Sequence, residues 1–178
     1  MKLIDRTLNG TYLFAINILF SVCNFSPWFV RPWILRLCGM KIGRGSYIDR
    51  NVFIKFPWKV TIGRYTVLNR GVEIYPGSKS NSKVMIGSYC RLAPNVKIHA
   101  AGHDPYSANF EHVGEDIVIK DGVWVGASAV ILQGITLDSG AVVGAGSLVT
   151  KDVEKSTIVA GNPAKTLARV SEIHEQEN

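Results

Sequence analysis

Three of the four histidines of this 178-residue chain, His99, His103 and His112, fall within one stretch, IHAAGHDPYSANFEHVGEDIVI (residues 98–119). Imidazole titrates near neutrality, so it can take a proton from a hydroxyl or amine and return it to a leaving group. His103, which follows Gly102, is the candidate base; on chemistry alone it is either that or a surface histidine. His99 follows the aliphatic Ile98 and should point outward, and His112 lies within the stretch. A zinc site would need converging ligands, but His99 and His103 are four apart and the repeats carry no further histidine. No metal is expected.

The chain that must position these residues counts in sixes. Aliphatic residues stand at Ile42, Ile48, Ile54, then Ile62, Leu68, Ile74, then Ile86, Leu92, Ile98; after the histidine stretch come Ile119, Val125, Ile131, Leu137, Val143 and Val149. A helix spaces apolar residues by 3.6 on average and a plain strand alternates them, so a strict six fits neither. Gly often follows the aliphatic (Gly43, Gly63, Gly87, Gly126, Gly144), and a mostly small residue stands four places on (Ser46, Thr66, Cys90, Ala129, Ser147). That pattern predicts short strands joined by tight corners, three hexamers to a triangular coil. The fold class is all-β, a parallel β-helix over residues 41–160.

The interior of such a prism is packed solid, so chemistry must sit where a loop is ejected or where two prisms meet. Ile98 to Ile119 spans 21 residues where a coil takes 18, and 104–116 has no hexamer character. The pause is read as an ejected loop that builds a site.

The hexamers, with VWVGASAVILQGITLDSGAVVGAGSLVTKDV and VAGNPAK, resemble the hexapeptide-repeat acyltransferases over roughly residues 41–169. Within them the chain is similar to the sugar O-acetyltransferase branch, the galactoside and maltose enzymes and their polysaccharide-biosynthesis relatives. The resemblance implies a left-handed winding, acetyl-CoA as co-substrate, a homotrimer, and His103 as catalytic base. It places CoA contacts at Ala127, Ala145, Thr150, Lys151, Lys165 and Arg169, and an asparagine beside the reacting centre at Asn69. Small corner residues would let the pantetheine arm lie on backbone amides, and basic residues would meet the CoA phosphates. The segment YPGSKSNSK lacks an acid, a departure from simple galactoside specificity. Prisms of this fold also serve as zinc carbonic anhydrases, but their His-x4-His pair is absent. Trp124 stands where an outward side chain is expected, to stack on a ligand or to pack between prisms.

Residues 1–40 are different in kind. The run from Tyr12 to Phe25 is apolar but broken by Asn17, Ser21 and Asn24, and Pro27 and Pro32 punctuate the residues after it. It is short for a bilayer span. Two readings fit: a helix docked on protein, or an interfacial membrane anchor with Trp28, Trp33, Arg31 and Arg36 at headgroup level. Charge supports the second, since residues 1–70 hold eleven Lys/Arg against two Asp, while the remainder holds nine against twelve acids. No nucleic-acid-binding signature is present, and no such partner is expected. Three cysteines without metal spacing suit a reducing cytoplasm, with peripheral contact on the inner face of the plasma membrane. At the other end, 161–178 reads as a turn and short helix, Asn162 capping, Pro163 in the first turn, and Leu167, Val170 and Ile173 as its apolar stripe.

The function expected is acetyl transfer from acetyl-CoA to a hydroxyl of a surface polysaccharide or its precursor. N-acetylation of an amino-sugar nucleotide would use the same base and groove. A non-catalytic scaffold is the third reading.

Overall fold

The computed structural model describes residues 2–77 and 80–170, with side chains from Gly10 onward except Leu13. Each hexamer is one short strand, and three strands make a coil. The first coil is β1 (Lys41–Ile42), β2 (Tyr47–Ile48) and β3 (Phe53–Ile54), and the second is β4 (Val60–Ile62), β5 (Val67–Leu68) and β6 (Glu73–Tyr75). The third is β7 (Val84–Ile86), β8 (Arg91–Leu92) and β9 (Lys97–His99), after which the chain leaves the prism as β10 (Ala101–His103) and β11 (His112–Gly114). It returns as β12 (Ile117–Ile119), β13 (Trp124–Val125) and β14 (Val130–Ile131), then β15 (Thr136–Leu137), β16 (Val142–Val143) and β17 (Leu148–Val149). The last strands are β18 (Thr157–Ala160) and β19 (Lys165–Arg169).

Parallel pairing sorts the coils into three faces. The first is β1-β4-β7-β12-β15, the second runs from β2 through β5, β8, β13 and β16 to β18 and β19, and the third is β3-β6-β9-β14-β17. The winding is left-handed. The register puts like on like: Ile42, Ile62, Ile86, Ile119 and Leu137 form one column. Ile48, Leu68, Leu92, Val125 and Val143 form the next, and Ile54, Ile74, Ile98, Ile131 and Val149 the third. All fifteen but the half-buried Ile42 are buried, so the six-residue period is the period of inward side chains.

The corners explain the small residues. A Cβ on Gly63 would lie 2.5 Å from the backbone carbon of Gly87, so neighbouring coils touch there backbone to backbone. Corner polars carry their own partners: half-buried Ser46 donates through Oγ to the Gly63 carbonyl at 2.7 Å, and buried Thr66 through Oγ1 to that of Gly87 at 2.7 Å. A buried hydroxyl left unpaired would cost about 1–3 kcal/mol, which this column avoids.

The first coil has strand partners on one side only, and an open sheet edge invites unwanted pairing. Two helices cover it, α1 (Lys2–Phe25) and α2 (Arg31–Leu37). Ile16, Phe20 and Cys23 bury one side of α1, with Phe20 5.2 Å from the Phe53 ring. Tyr12 stacks on Phe56, its hydroxyl donates to the Lys55 carbonyl, and the Asn51 N–H donates to Asn24 Oδ1 at 2.7 Å. Arg31, 5% exposed, donates to the carbonyls of Cys23, Ser26 and Ile48 at 2.9, 2.9 and 3.2 Å and lies 3.8 Å from Asp49. Arg36 donates to the Ile42 carbonyl at 2.9 Å. Both arginines therefore donate to edge carbonyls; the expectation that the buried Arg31 sits at headgroup level is corrected, while Arg36 is half-buried and lies 5.1 Å from the ring of exposed Trp33. Trp28 and Trp33 are exposed. No helix among the described residues is long and apolar enough to cross a membrane.

The C-terminal reading is also corrected over part of its length. After Asn162–Pro163, a cis bond, residues 165–169 form β19 antiparallel to β18, not a helix. β18 would otherwise end its face as an open edge, and β19 covers it. Leu167 is an exposed strand residue; Ile173 lies outside the described residues.

Candidate active site

The ejected stretch is an antiparallel hairpin. Its register is Ala101 to Gly114, Gly102 to Val113 and His103 to His112, so the two histidines close the paired rungs. Their rings lie 4.3 Å apart between centroids. The connecting residues fold on themselves. The Tyr106 N–H donates to Asp104 Oδ1 at 2.9 Å, that of Glu111 to Ser107 Oγ at 2.6 Å, and that of Phe110 to the Ser107 carbonyl at 3.1 Å. Asp at a loop start, bonding the amide two residues on, is a common turn device. This turn carries the Phe110 carbonyl oxygen to 2.6 Å from His103 Nδ1.

That contact selects the tautomer of the neutral ring. A carbonyl oxygen accepts and cannot donate, so in neutral imidazole the hydrogen is on Nδ1 and the lone pair on Nε2. The His103 residue is exposed. His99 behaves differently. It stacks flat on Tyr75 at 5.0 Å and is half-buried, and burial, aided by Lys97, pushes its pKa below 6.5. Tyr75 donates to Glu73 at 2.7 Å, and burial with that bond raises its phenol to about 12.

Register then sorts the remaining candidates by corner. Asn69, Ala127 and Ala145 lie where the second face turns into the third, each just after its second-face strand. The Gly146 N–H donates to the Ala127 carbonyl at 2.8 Å, stacking the two alanines on successive coils. Asn69 Nδ2 donates to the Leu92 carbonyl at 2.8 Å. Lys165 pairs with Ala160 near the same corner. Thr150 and Lys151 lie at the corner between the third face and the first, the corner from which the His103 hairpin springs. Arg169 sits at the far end of β19, 3.3 Å from Glu154. One chain thus brings Asn69, Ala127, Ala145 and Lys165 to one edge and His103, Thr150 and Lys151 to another. Arg169 joins neither group. Trp124 is exposed on the second face, beside Arg91 and Val142. Among the described residues no three His, Cys, Asp or Glu side chains converge to hold a metal ion.

Known proteins are similar to this chain in sequence and architecture. The model of the bacterial transferase hexapeptide (six repeats) matches residues 116–151. Over 147 residues the chain is 32% identical to the WcaF protein of Escherichia coli K12, assigned to colanic acid biosynthesis as an acetyltransferase; the match covers 81% of this chain and 79% of that one. The chain belongs to the hexapeptide-repeat acetyltransferases. It superposes with a TM-score of 0.80 and 26% identity on a hexapeptide-repeat acetyltransferase of Vibrio cholerae O1 biovar eltor complexed with acetyl-CoA, over 90% of this chain and 88% of that one. A maltose O-acetyltransferase from Clostridium difficile 630 superposes with a TM-score of 0.75 and 28% identity, over 88% and 84%. As a hexapeptide-repeat acetyltransferase the protein is an acetyl-CoA-dependent enzyme.

Two features of this acetyltransferase had no clear sequence signal. The Phe110 carbonyl belongs to the backbone, so no residue type announces it. Gln133 lies at the corner of the His103 hairpin, its Oε1 buried without a hydrogen-bond partner among the described residues and 3.8 Å from where a Cβ on Gly102 would stand. A buried acceptor of that kind is open to a donor from a bound ligand.

Proposed function

We propose that the protein moves an acetyl group from acetyl-CoA to a hydroxyl of a sugar in a surface polysaccharide or its precursor, with His103 as general base. The observation that carries this reading is the 2.6 Å contact of Nδ1 with the Phe110 carbonyl, which in the neutral imidazole places the hydrogen on Nδ1 and the lone pair on Nε2 of an exposed residue. Nε2 takes the proton of the acceptor hydroxyl as its oxygen attacks the thioester carbonyl. The tetrahedral intermediate expels the CoA thiolate, which takes the same proton from the imidazolium. The O-acetyltransferases among the relatives support oxygen as the acceptor atom, and the WcaF likeness supports a polysaccharide pathway.

The working unit in this reading is a homotrimer. Six positions of the third face, up to about 20 Å of extended chain, separate the Asn69 corner from the one that bears His103. Threefold packing around a closed axis sets one subunit's His103 edge against its neighbour's Asn69, Ala127, Ala145 and Lys165. Thr150 and Lys151 then line the wall that carries the base. Co-refolding His103→Ala chains with Ala145→Trp chains, each inactive alone, restores activity if the wall is shared; a trimer without rescue places base and groove on one subunit.

Purified protein incubated with acetyl-CoA and a panel of sugars, nucleotide sugars and lipid-linked glycans, followed by thiol release, tests the reaction. Release that requires a glycan hydroxyl supports it, and release only with free amino groups assigns N-acetylation instead.

A further inference from the structure

We propose that the helical cap is a docking surface for an anionic phospholipid bilayer. The proposal does not depend on the acceptor or on the role of His103.

α1 has two apolar sides. Ile16, Phe20 and Cys23 face the prism, while Phe14, Ile18, Val22 and Phe25 are exposed on the opposite side. At 100° per residue those four fall within roughly 80° of arc. Beyond the helix Trp28, Phe29, Trp33 and Leu37 are also exposed, with Phe25 93% and Leu37 90% exposed, and Phe25 and Trp28 line one cavity. Large apolar side chains exposed in such number mark an interaction site.

Charge at its rim selects the occupant. A cavity of about 430 Å³ where α1 meets the prism corner is lined by Ser21, Asn24, Phe25, Arg50, Asn51 and Arg70. A neighbouring cavity of about 370 Å³ joins Phe25 and Arg50 to Trp28. Arg50 and Arg70 are exposed, and neither is in an ion pair among the described residues. The nearby acid, Asp49, is occupied by Arg31 and by the Arg50 N–H at 2.6 Å. Arginines beside exposed Trp and Phe match the boundary between lipid phosphates and acyl chains, where the rings enter the apolar layer and the guanidinium groups meet phosphate. A second copy pairing through the same surface would bring two basic rims together. Cyclic symmetry, if the trimer reading holds, gives all three caps the same sense along the axis, so one membrane could engage them together.

Sedimentation of the full chain with phosphatidylcholine vesicles, and with vesicles containing about a third phosphatidylglycerol, tests the surface. The wild type should sediment with the anionic vesicles and be released by salt. The triple variant Phe25→Ser, Trp28→Ser, Trp33→Ser should bind at least tenfold more weakly at unchanged oligomeric size. Arg50→Gln with Arg70→Gln should remove the preference for anionic lipid. In the wild type, brominated acyl chains should quench tryptophan emission. A wild type that neither sediments nor is quenched overturns the proposal, as does a triple variant that binds like wild type. A triple variant that changes assembly size assigns the surface to contacts between copies.

Discussion

His103 and Phe110 face each other across one hairpin, with the imidazole Nδ1 2.6 Å from the Phe110 carbonyl oxygen. The contact orients the ring through the backbone, so the phenyl group is not needed for it. Phe110→Ala should keep kcat within about threefold of wild type. Deleting residues 106–109, which removes the turn but not the base, should lower kcat at least about a hundredfold with KM for acetyl-CoA nearly unchanged. Steady-state kinetics on both variants checks the split.

Lys165 and Arg169 are four residues apart on β19 but lie at opposite ends of it. Lys165 is near the corner that stacks Ala127 on Ala145, whereas Arg169 meets Glu154. Lys165→Ala should raise KM for acetyl-CoA about three- to tenfold through loss of a phosphate partner. Arg169→Ala should leave it within twofold. The reverse order would place the CoA phosphates at the other end of the strand.

Arg31 is a structural residue of the cap. Arg31→Met removes donors from three carbonyls and leaves Asp49 without its guanidinium, at a cost of about 2–4 kcal/mol. Urea unfolding measures it, and a change below about 0.5 kcal/mol would mean that water satisfies the edge equally well.

The prism was legible in the sequence because one period controls both packing and hydrogen bonding. Ile62 must stack on Ile86, and Ile86 on Ile119, wherever the corners repeat, so spacing alone names all fifteen aliphatic positions. The end pieces obey no such period. Leu167, Val170 and Ile173 have spacing a helix would use, yet the open edge of β18 drew residues 165–169 into a strand. Arg31 looked like a headgroup ligand because nothing local to it reveals that Ile48 lacks a donor on the outer side. The pause around His103 was visible as a broken count, but its pairing with His112 closes across eight intervening residues without alternation.

His99 should make the fold sensitive to mild acid. Its folded pKa lies below 6.5, chiefly through burial, so the unfolded chain binds the proton first as pH falls. The stability this group contributes is complete above about 6.5 and is lost as pH drops through the folded value. His99→Phe, which keeps the stack on Tyr75, should show a smaller fall in Tm between about pH 7.5 and 5. An equal fall in both proteins would remove His99 from the acid response.

In the proposed reaction His103 removes the acceptor proton during acetyl transfer from CoA. Thiol release from acetyl-CoA, with an acceptor glycan found by the panel, should fall by about 10²–10⁴ in His103→Ala, with acetyl-CoA affinity and assembly size unchanged. Turnover within threefold of wild type in that variant would contradict the account.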